Sequence, residues 1–207
     1  MEKWERGLIQ QIANLSTVNS GPQVRILPSP PKEKGVIKMG VEIERKFLCN
    51  MFTPPANAEH FYVEQFYLAS GNIEVRFHSK KNLTSNEIKY ELTLKSSGDL
   101  VRKEQNIKIT KEDFETAKEM LGDKMPITKD FYVWHFDEAR PELFEFSIVD
   151  GFWSYFEIEF AKEIDAKVFC LAKWILPNIT GIRWFYDVTD NEEYKMKNYW
   201  NKTRGKI

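Results

Sequence analysis

From Val41 onward the chain alternates apolar with charged residues, and this limits the available folds more than any other feature. Successive residues of a strand point to opposite faces of a sheet, so a period of two assigns each residue to a face. In Val41-Glu42-Ile43-Glu44-Arg45-Lys46-Phe47 one face carries Glu42, Glu44 and Lys46. The other carries Val41, Ile43 and Phe47, with Arg45 the one exception. Ile73, Val75 and Phe77 oppose Glu74, Arg76 and His78, and Tyr90, Leu92 and Leu94 oppose Glu91, Thr93 and Lys95. Further on, Phe144, Phe146 and Ile148 oppose Glu145 and Ser147, and Phe156, Ile158 and Phe160 oppose Glu157 and Glu159. One such strand alone fits a sheet with a wet face. Recurring along the chain, with apolar faces rich enough to need covering by helices, the pattern predicts antiparallel strands whose charged face turns inward. Closing that sheet makes a barrel with a polar lumen.

Helices punctuate the second half. Thr110 followed by Asp113 predicts a capping-box start, Phe114, Ala117 and Leu121 give the apolar stripe, and Gly122 the stop. Asp165 is expected to cap a helix carrying Val168, Leu171, Ala172 and Ile175 that ends before Pro177, and Asp190 a last helix around Tyr194. The class is α+β with a strand majority. Residues 1–40 read differently: Trp4, Leu8, Ile12 and Leu15 could form one stripe of a short helix, followed by the linker-like Ser20-Gly21-Pro22 and Pro28-Ser29-Pro30-Pro31. That segment is expected to be a loose N-terminal extension or a leader preceding a natural start at Met39, with one domain over residues 41–207.

A lumen lined by both signs of charge is costly to desolvate, by several kcal/mol for each unpaired ion. Stability alone does not favour it, so the lumen is expected to bind something highly charged. Carboxylates would hold a hard divalent cation through oxygen, and lysines and arginines would hold phosphate oxygens. The charge must act locally, because 30 basic and 31 acidic residues give a net charge of -1 and no global field that favours nucleic acid or an anionic membrane. Cys49 and Cys170 have no paired spacing and predict neither a disulfide framework nor a zinc site. His60, His78 and His135 suggest no shared metal and are expected to be structural or superficial. No uncharged apolar run reaches the roughly 18 residues of a membrane span, and no signal pattern opens the chain, so a cytoplasmic protein is expected.

Glu42-Ile43-Glu44-Arg45-Lys46 resembles the ExExK signature that opens the CYTH, or triphosphate tunnel metalloenzyme, superfamily, and other pieces follow in that family's order. Tyr62 to Leu68 resembles the second strand, Val75-Arg76-Phe77-His78 the Arg-x-Arg strand, and Leu92-Thr93-Leu94-Lys95-Ser96 the TLK segment. Arg102-Lys103-Glu104 is similar to Arg-x-Glu, Lys129 opens the Lys-x-Arg place, Glu157-Ile158-Glu159 resembles the late ExE, and Asp187-Val188-Thr189 with Tyr194 the closing helix entry. The match spans about residues 41–200. The resemblance implies an eight-stranded antiparallel tunnel flanked by helices, with Mg2+ or Mn2+ as cofactor and a small-molecule triphosphate as partner. Carried over by position, Glu42, Glu44, Glu157, Glu159 and Glu145 are the metal-side residues, and Lys46, Arg76, Lys95, Arg102 and Lys129 the phosphate-side residues. Glu104 is a lumen carboxylate that orients a basic neighbour or a water, and it joins Glu42, Glu44 and Lys46 as the expected catalytic set.

Three positions depart from the family pattern. His78 replaces the second Arg of Arg-x-Arg, Asn106 replaces a Glu, and Phe131 replaces the Arg of Lys-x-Arg, removing a bidentate phosphate donor. The expected activity is hydrolysis of the terminal phosphate of inorganic triphosphate or of a nucleoside or thiamine triphosphate. The alternatives are class IV adenylate cyclase, which the family also contains, and a non-catalytic polyphosphate-binding module. The resemblance is also compatible with a homodimer.

Overall fold

The computed structural model describes residues 38–135, 142–171 and 180–205, all within a compact unit of Gly35–Ile207. The alternating segments are strands throughout: β1 Lys38–Cys49, β2 Glu59–Ser70, β3 Ile73–Asn82, β4 Ile88–Ser96, β5 Val101–Lys108, β6 Ile127–Trp134, β7 Leu143–Val149 and β8 Trp153–Glu159. They pair antiparallel in the order β5-β4-β3-β2-β6-β7-β8-β1, and β1 returns to β5 with Glu42 opposite Arg102. The eight strands therefore close into the expected barrel, which leaves no long unpaired edge. From Glu44 onward β1 pairs with β8, and its vacated flank takes an outer ninth strand, β9 Phe185–Asp187, opposite Phe47 to Cys49. Three residues are too short for alternation to register, so β9 has no sequence signal.

The apolar faces point outward, as the pattern requires. Phe47, Phe52, Trp134, Phe144, Phe146, Phe156, Ile158 and Phe160 form one buried cluster with Ala166 and Leu171. On the other side α1, Lys111–Glu119, sets the Phe114 ring 5.3 Å from those of both Phe66 and Tyr90. Its start is the predicted capping box, with Asp113 N–H donating to the Thr110 hydroxyl and Thr110 N–H to the Asp113 carboxylate. Gly122, at φ 61°, lies just past its end.

Two helix expectations need correction. α2 spans Glu163–Val168 with Lys162 at its N-cap, so Asp165 lies inside the first turn, where a carboxylate serves the helix dipole rather than the cap. Ala172, Ile175 and Pro177 lie outside the described residues, as do Trp4, Leu8, Ile12, Leu15 and the proline-rich segment. Near the end Asn191, not Asp190, accepts from the Glu193 N–H and starts a single 3-10 turn, Glu192–Tyr194; α3 then runs over Met196–Arg204. Arg45, the exception on the outer face of β1, donates to the carbonyls of Ala166 and Phe169 and pairs with Asp187, tying α2 and β9 to the barrel. No described helix is long and apolar enough to cross a membrane.

Candidate active site

All eleven residues named from the sequence face one cavity of about 240 Å³ inside the barrel: Glu42, Glu44, Lys46, Arg76, Lys95, Arg102, Glu104, Lys129, Glu145, Glu157 and Glu159. The alternation of each strand puts them there, and the strand order sorts them. Glu145 on β7, Glu157 and Glu159 on β8, Glu42 and Glu44 on β1, and Glu104 on β5 form a continuous acidic arc. Across the lumen β3 and β6, separated by β2, present Arg76 and Lys129.

The cations fall into two groups. Lys95 donates to Glu42 at 2.8 and 3.0 Å and pairs with Glu104 at 2.8 Å. Arg102 bridges Glu42, at 3.1 Å, and Glu44. Lys46 donates to Glu157 at 3.0 Å and lies 3.6 Å from the centroid of the Tyr155 ring. These three phosphate-side residues are thus held within the acidic arc. Arg76 and Lys129 have neutral hydrogen-bond partners, the Thr93 hydroxyl at 3.3 Å and the Tyr155 hydroxyl at 2.9 Å. The Arg76 Nε is buried with no hydrogen-bond partner among the described residues.

Electrostatics follows this division. Burial and then the adjacent Glu44 push the Glu42 carboxyl up to about 9. Burial also opposes ionisation of Glu44, but Arg102, Lys95 and Lys46 outweigh it and hold that carboxyl at about 2. Glu145 is pushed up to about 8 by burial and by Glu159 and Glu157, and Glu159 is raised by burial and by Glu44. Glu104 is lowered in spite of burial, because Lys95 and Arg76 outweigh it.

Burial takes Lys129 down to about 7, with repulsion from Arg76 and Lys46 adding to it against the pull of Glu157. Between that value and its ordinary 10.5 the unfolded chain binds a proton that the folded one does not, so this group costs stability at neutral pH and the cost fades as pH rises. The Lys129→Met variant is therefore expected to be more stable than the parent at pH 7 in urea unfolding, with the gap closing toward pH 10; a gap independent of pH would contradict this.

Among the described residues no three His, Cys, Asp or Glu side chains converge closely enough to hold a metal ion as they stand. The donor chemistry nevertheless fits a hard divalent cation. Among the described residues Glu145 and Glu159 have no lysine or arginine within ion-pair distance, and burial, followed by repulsion from Glu159 and Glu157 at the first and from Glu44 at the second, raises both. A multiply charged cation relieves that repulsion.

The three departures are in the lumen. His78 is hydrogen-bonded to Glu91 at 3.0 Å, and burial lowers it to about 4, so it offers a neutral ring where the family pattern has a guanidinium. Asn106 accepts from the Thr93 hydroxyl at 2.7 Å and donates to Glu104 at 2.6 Å, linking residues that a second carboxylate would repel. Phe131 faces the cavity, and so does Lys80, which the sequence reading did not single out. Continuing Glu74, Arg76 and His78 at a spacing of two would have reached it. The other histidines are peripheral: His60 pairs with Asp130 and stacks on Tyr132, and His135 bonds the Glu142 carbonyl.

No protein-family model and no curated protein matches the chain. Among solved structures, the inorganic triphosphatase NE1496 is 26% identical, with 80% of this chain and 95% of that one covered and a TM-score of 0.49. The PH1819 protein from Pyrococcus horikoshii is 18% identical, covering 70% of this chain and 93% of that one, also with a TM-score of 0.49. HpAC1 from Hippeastrum, described as an adenylyl cyclase candidate with a dominant triphosphatase activity, is 17% identical over 61% of this chain and 82% of that one, with a TM-score of 0.39. The closed eight-stranded antiparallel barrel is the fold that the resemblance to the triphosphate tunnel superfamily implied, and the residues that carry the resemblance face its lumen.

Proposed function

We propose that the chain is a divalent-metal-dependent triphosphatase that hydrolyses the terminal phosphate of a small-molecule triphosphate held in the barrel lumen. The observation that carries this reading is the division of the lumen into an acidic arc on β7, β8, β1 and β5 and a facing wall on which Arg76 and Lys129 have no carboxylate within ion-pair distance among the described residues. A polyphosphate satisfies those cations, and its own charge requires neutralisation on the other side.

Glu42, Glu44, Glu145, Glu157 and Glu159 would hold Mg2+ or Mn2+, which when bound supplies charge neutralisation at the phosphoryl oxygens. Arg76 and Lys129 hold the phosphates by charge-assisted hydrogen bonds, and the anion restores the proton on Lys129 that burial alone disfavours. Arg102, Lys95 and Lys46 keep Glu44 ionised, and the three cations can turn toward phosphate once a metal ion takes over their carboxylate partners. Glu104, fixed by Lys95 and Asn106, orients the attacking water. The water oxygen bonds to the terminal phosphorus as the anhydride P–O bond breaks, the departing diphosphate or substituted diphosphate keeps the electron pair, and the water's proton leaves on the orthophosphate product. Among the described residues no serine or cysteine nucleophile with an adjacent base lines the cavity, so the attack is direct.

The test incubates purified protein with inorganic triphosphate, ATP or thiamine triphosphate plus Mg2+ or Mn2+ and measures orthophosphate, pyrophosphate and cyclic AMP. Metal-dependent release of orthophosphate is expected, and it is lost in Glu42→Gln and Lys46→Ala. Cyclic AMP with pyrophosphate would replace the hydrolase reading by the cyclase one. Binding without turnover of any of the three would leave a polyphosphate-binding module.

A further inference from the structure

Phe131 occupies an arginine position in the lumen, and an aromatic ring cannot donate to phosphate. Its surroundings supply a cation from another strand. The β2–β6 register places Phe61 opposite Phe131, with ring centroids 6.2 Å apart. The β2–β3 register places Lys80 opposite Val63, which on its other side is opposite Lys129, so the two lysines flank one lumen-facing valine. The Lys80 Nζ lies 4.1 Å from the Phe61 centroid and 4.4 Å from that of Phe131, both inside the cation–π range of about 6 Å.

Ring faces hold an ammonium by its charge and leave most of its N–H donors unused. Lys46, Lys95 and Arg102 each have a carboxylate within ion-pair distance, whereas Lys80 has none among the described residues. Lys80 shares the cavity with Arg76 and Lys129, and the carboxylates that influence it, Glu145, Glu91 and Glu59, are not within ion-pair distance of it among the described residues.

We propose that Lys80, held over the rings of Phe61 and Phe131, is a phosphate-binding residue and supplies the cationic contact that the aromatic side chain at position 131 removes. This rests on the proposed function, since the anion it binds is the oligophosphate of that reading. The two rings hold the ammonium at the cavity wall, so the loss of one donor on β6 and the gain of another on β3 form a single exchange.

The test measures binding of inorganic triphosphate by calorimetry. Lys80→Met keeps an unbranched side chain of similar length beside the rings while removing the charge. It is expected to weaken triphosphate binding roughly 10- to 100-fold, the range for one lost charge-assisted hydrogen bond. Lys80→Arg is expected to retain binding. Adding Phe131→Arg to Lys80→Met is expected to recover most of the affinity, a rescue from another strand that a merely structural lysine would not allow. Parent-like binding by Lys80→Met, alongside weakened binding by Arg76→Ala, would overturn the role of Lys80 and leave the proposed function standing. Absence of triphosphate binding by the parent protein would overturn both. Should Lys80→Met fail to fold by circular dichroism, Lys80→Gln is read by the same criteria.

Discussion

Replacing Arg102 by alanine is expected to destabilise the barrel by about 3–5 kcal/mol, the range for removing one partner of a buried ion pair. Arg102 is the guanidinium that bridges Glu42 and Glu44, and the side chains of all three are nearly enclosed, at 10, 11 and 13% exposure. Lys95 would still hold Glu42, but Glu44 would lose the strongest of the cations that keep it ionised. The sign with pH follows. Glu44 titrates lower in the folded protein than unfolded, so its contribution is present above about 4.5 and is lost as pH falls toward 2. The difference between parent and Arg102→Ala should therefore be full at pH 7 and shrink below pH 4.5, as read by urea midpoints. A loss below about 1 kcal/mol at pH 7, the scale of an exposed pair, would show that the bridge is not buried as described.

Glu145→Gln and Glu159→Gln should behave in the opposite way, sparing the fold and abolishing function. Burial and like-charge neighbours raise both carboxyls, so each costs the barrel stability when it is ionised. For Glu145, raised to about 8, the folded chain holds a proton that the unfolded one releases near 4.5, and stability declines as pH rises across that interval. Glutamine removes the decline, so the variants should match or exceed the parent in stability at pH 8. If these side chains hold the divalent cation, metal-dependent hydrolysis should fall by at least about 100-fold, more than is usual for losing a group that only supports a ligand. Stable variants with parent-like turnover would remove β7 and β8 from the metal side.

The barrel was legible in the sequence because its two faces differ in kind. Where strand faces alternate between Phe or Ile and Glu or Lys, a period of two fixes both the strand and which side is inward. The same reasoning fails where both faces are polar. From Ser79 through Asn82, β3 reads Ser-Lys-Lys-Asn, no apolar partner marks the outward side, and only the continued period of Glu74, Arg76 and His78 separates Lys80 from Lys81. Partner choice inside the lumen was also hidden. Lys95 on β4 reaches Glu42 on β1 across the intervening β5, a contact set by the stagger of the closed barrel rather than by spacing along any strand. The side chains named for phosphate were all in the lumen, but the sequence did not reveal that Lys46, Lys95 and Arg102 would be engaged with carboxylates while Arg76 and Lys129, among the described residues, would not.

That division makes triphosphate binding itself the most direct measurement. Calorimetric titration of the parent protein with inorganic triphosphate at pH 7, with and without Mg2+, is expected to show one site per chain, tighter with the metal and weakened by Arg76→Ala and by Lys129→Met. An absence of binding in the presence of Mg2+, or binding indifferent to both substitutions, would contradict a lumen built to hold a triphosphate between a basic wall and an acidic one.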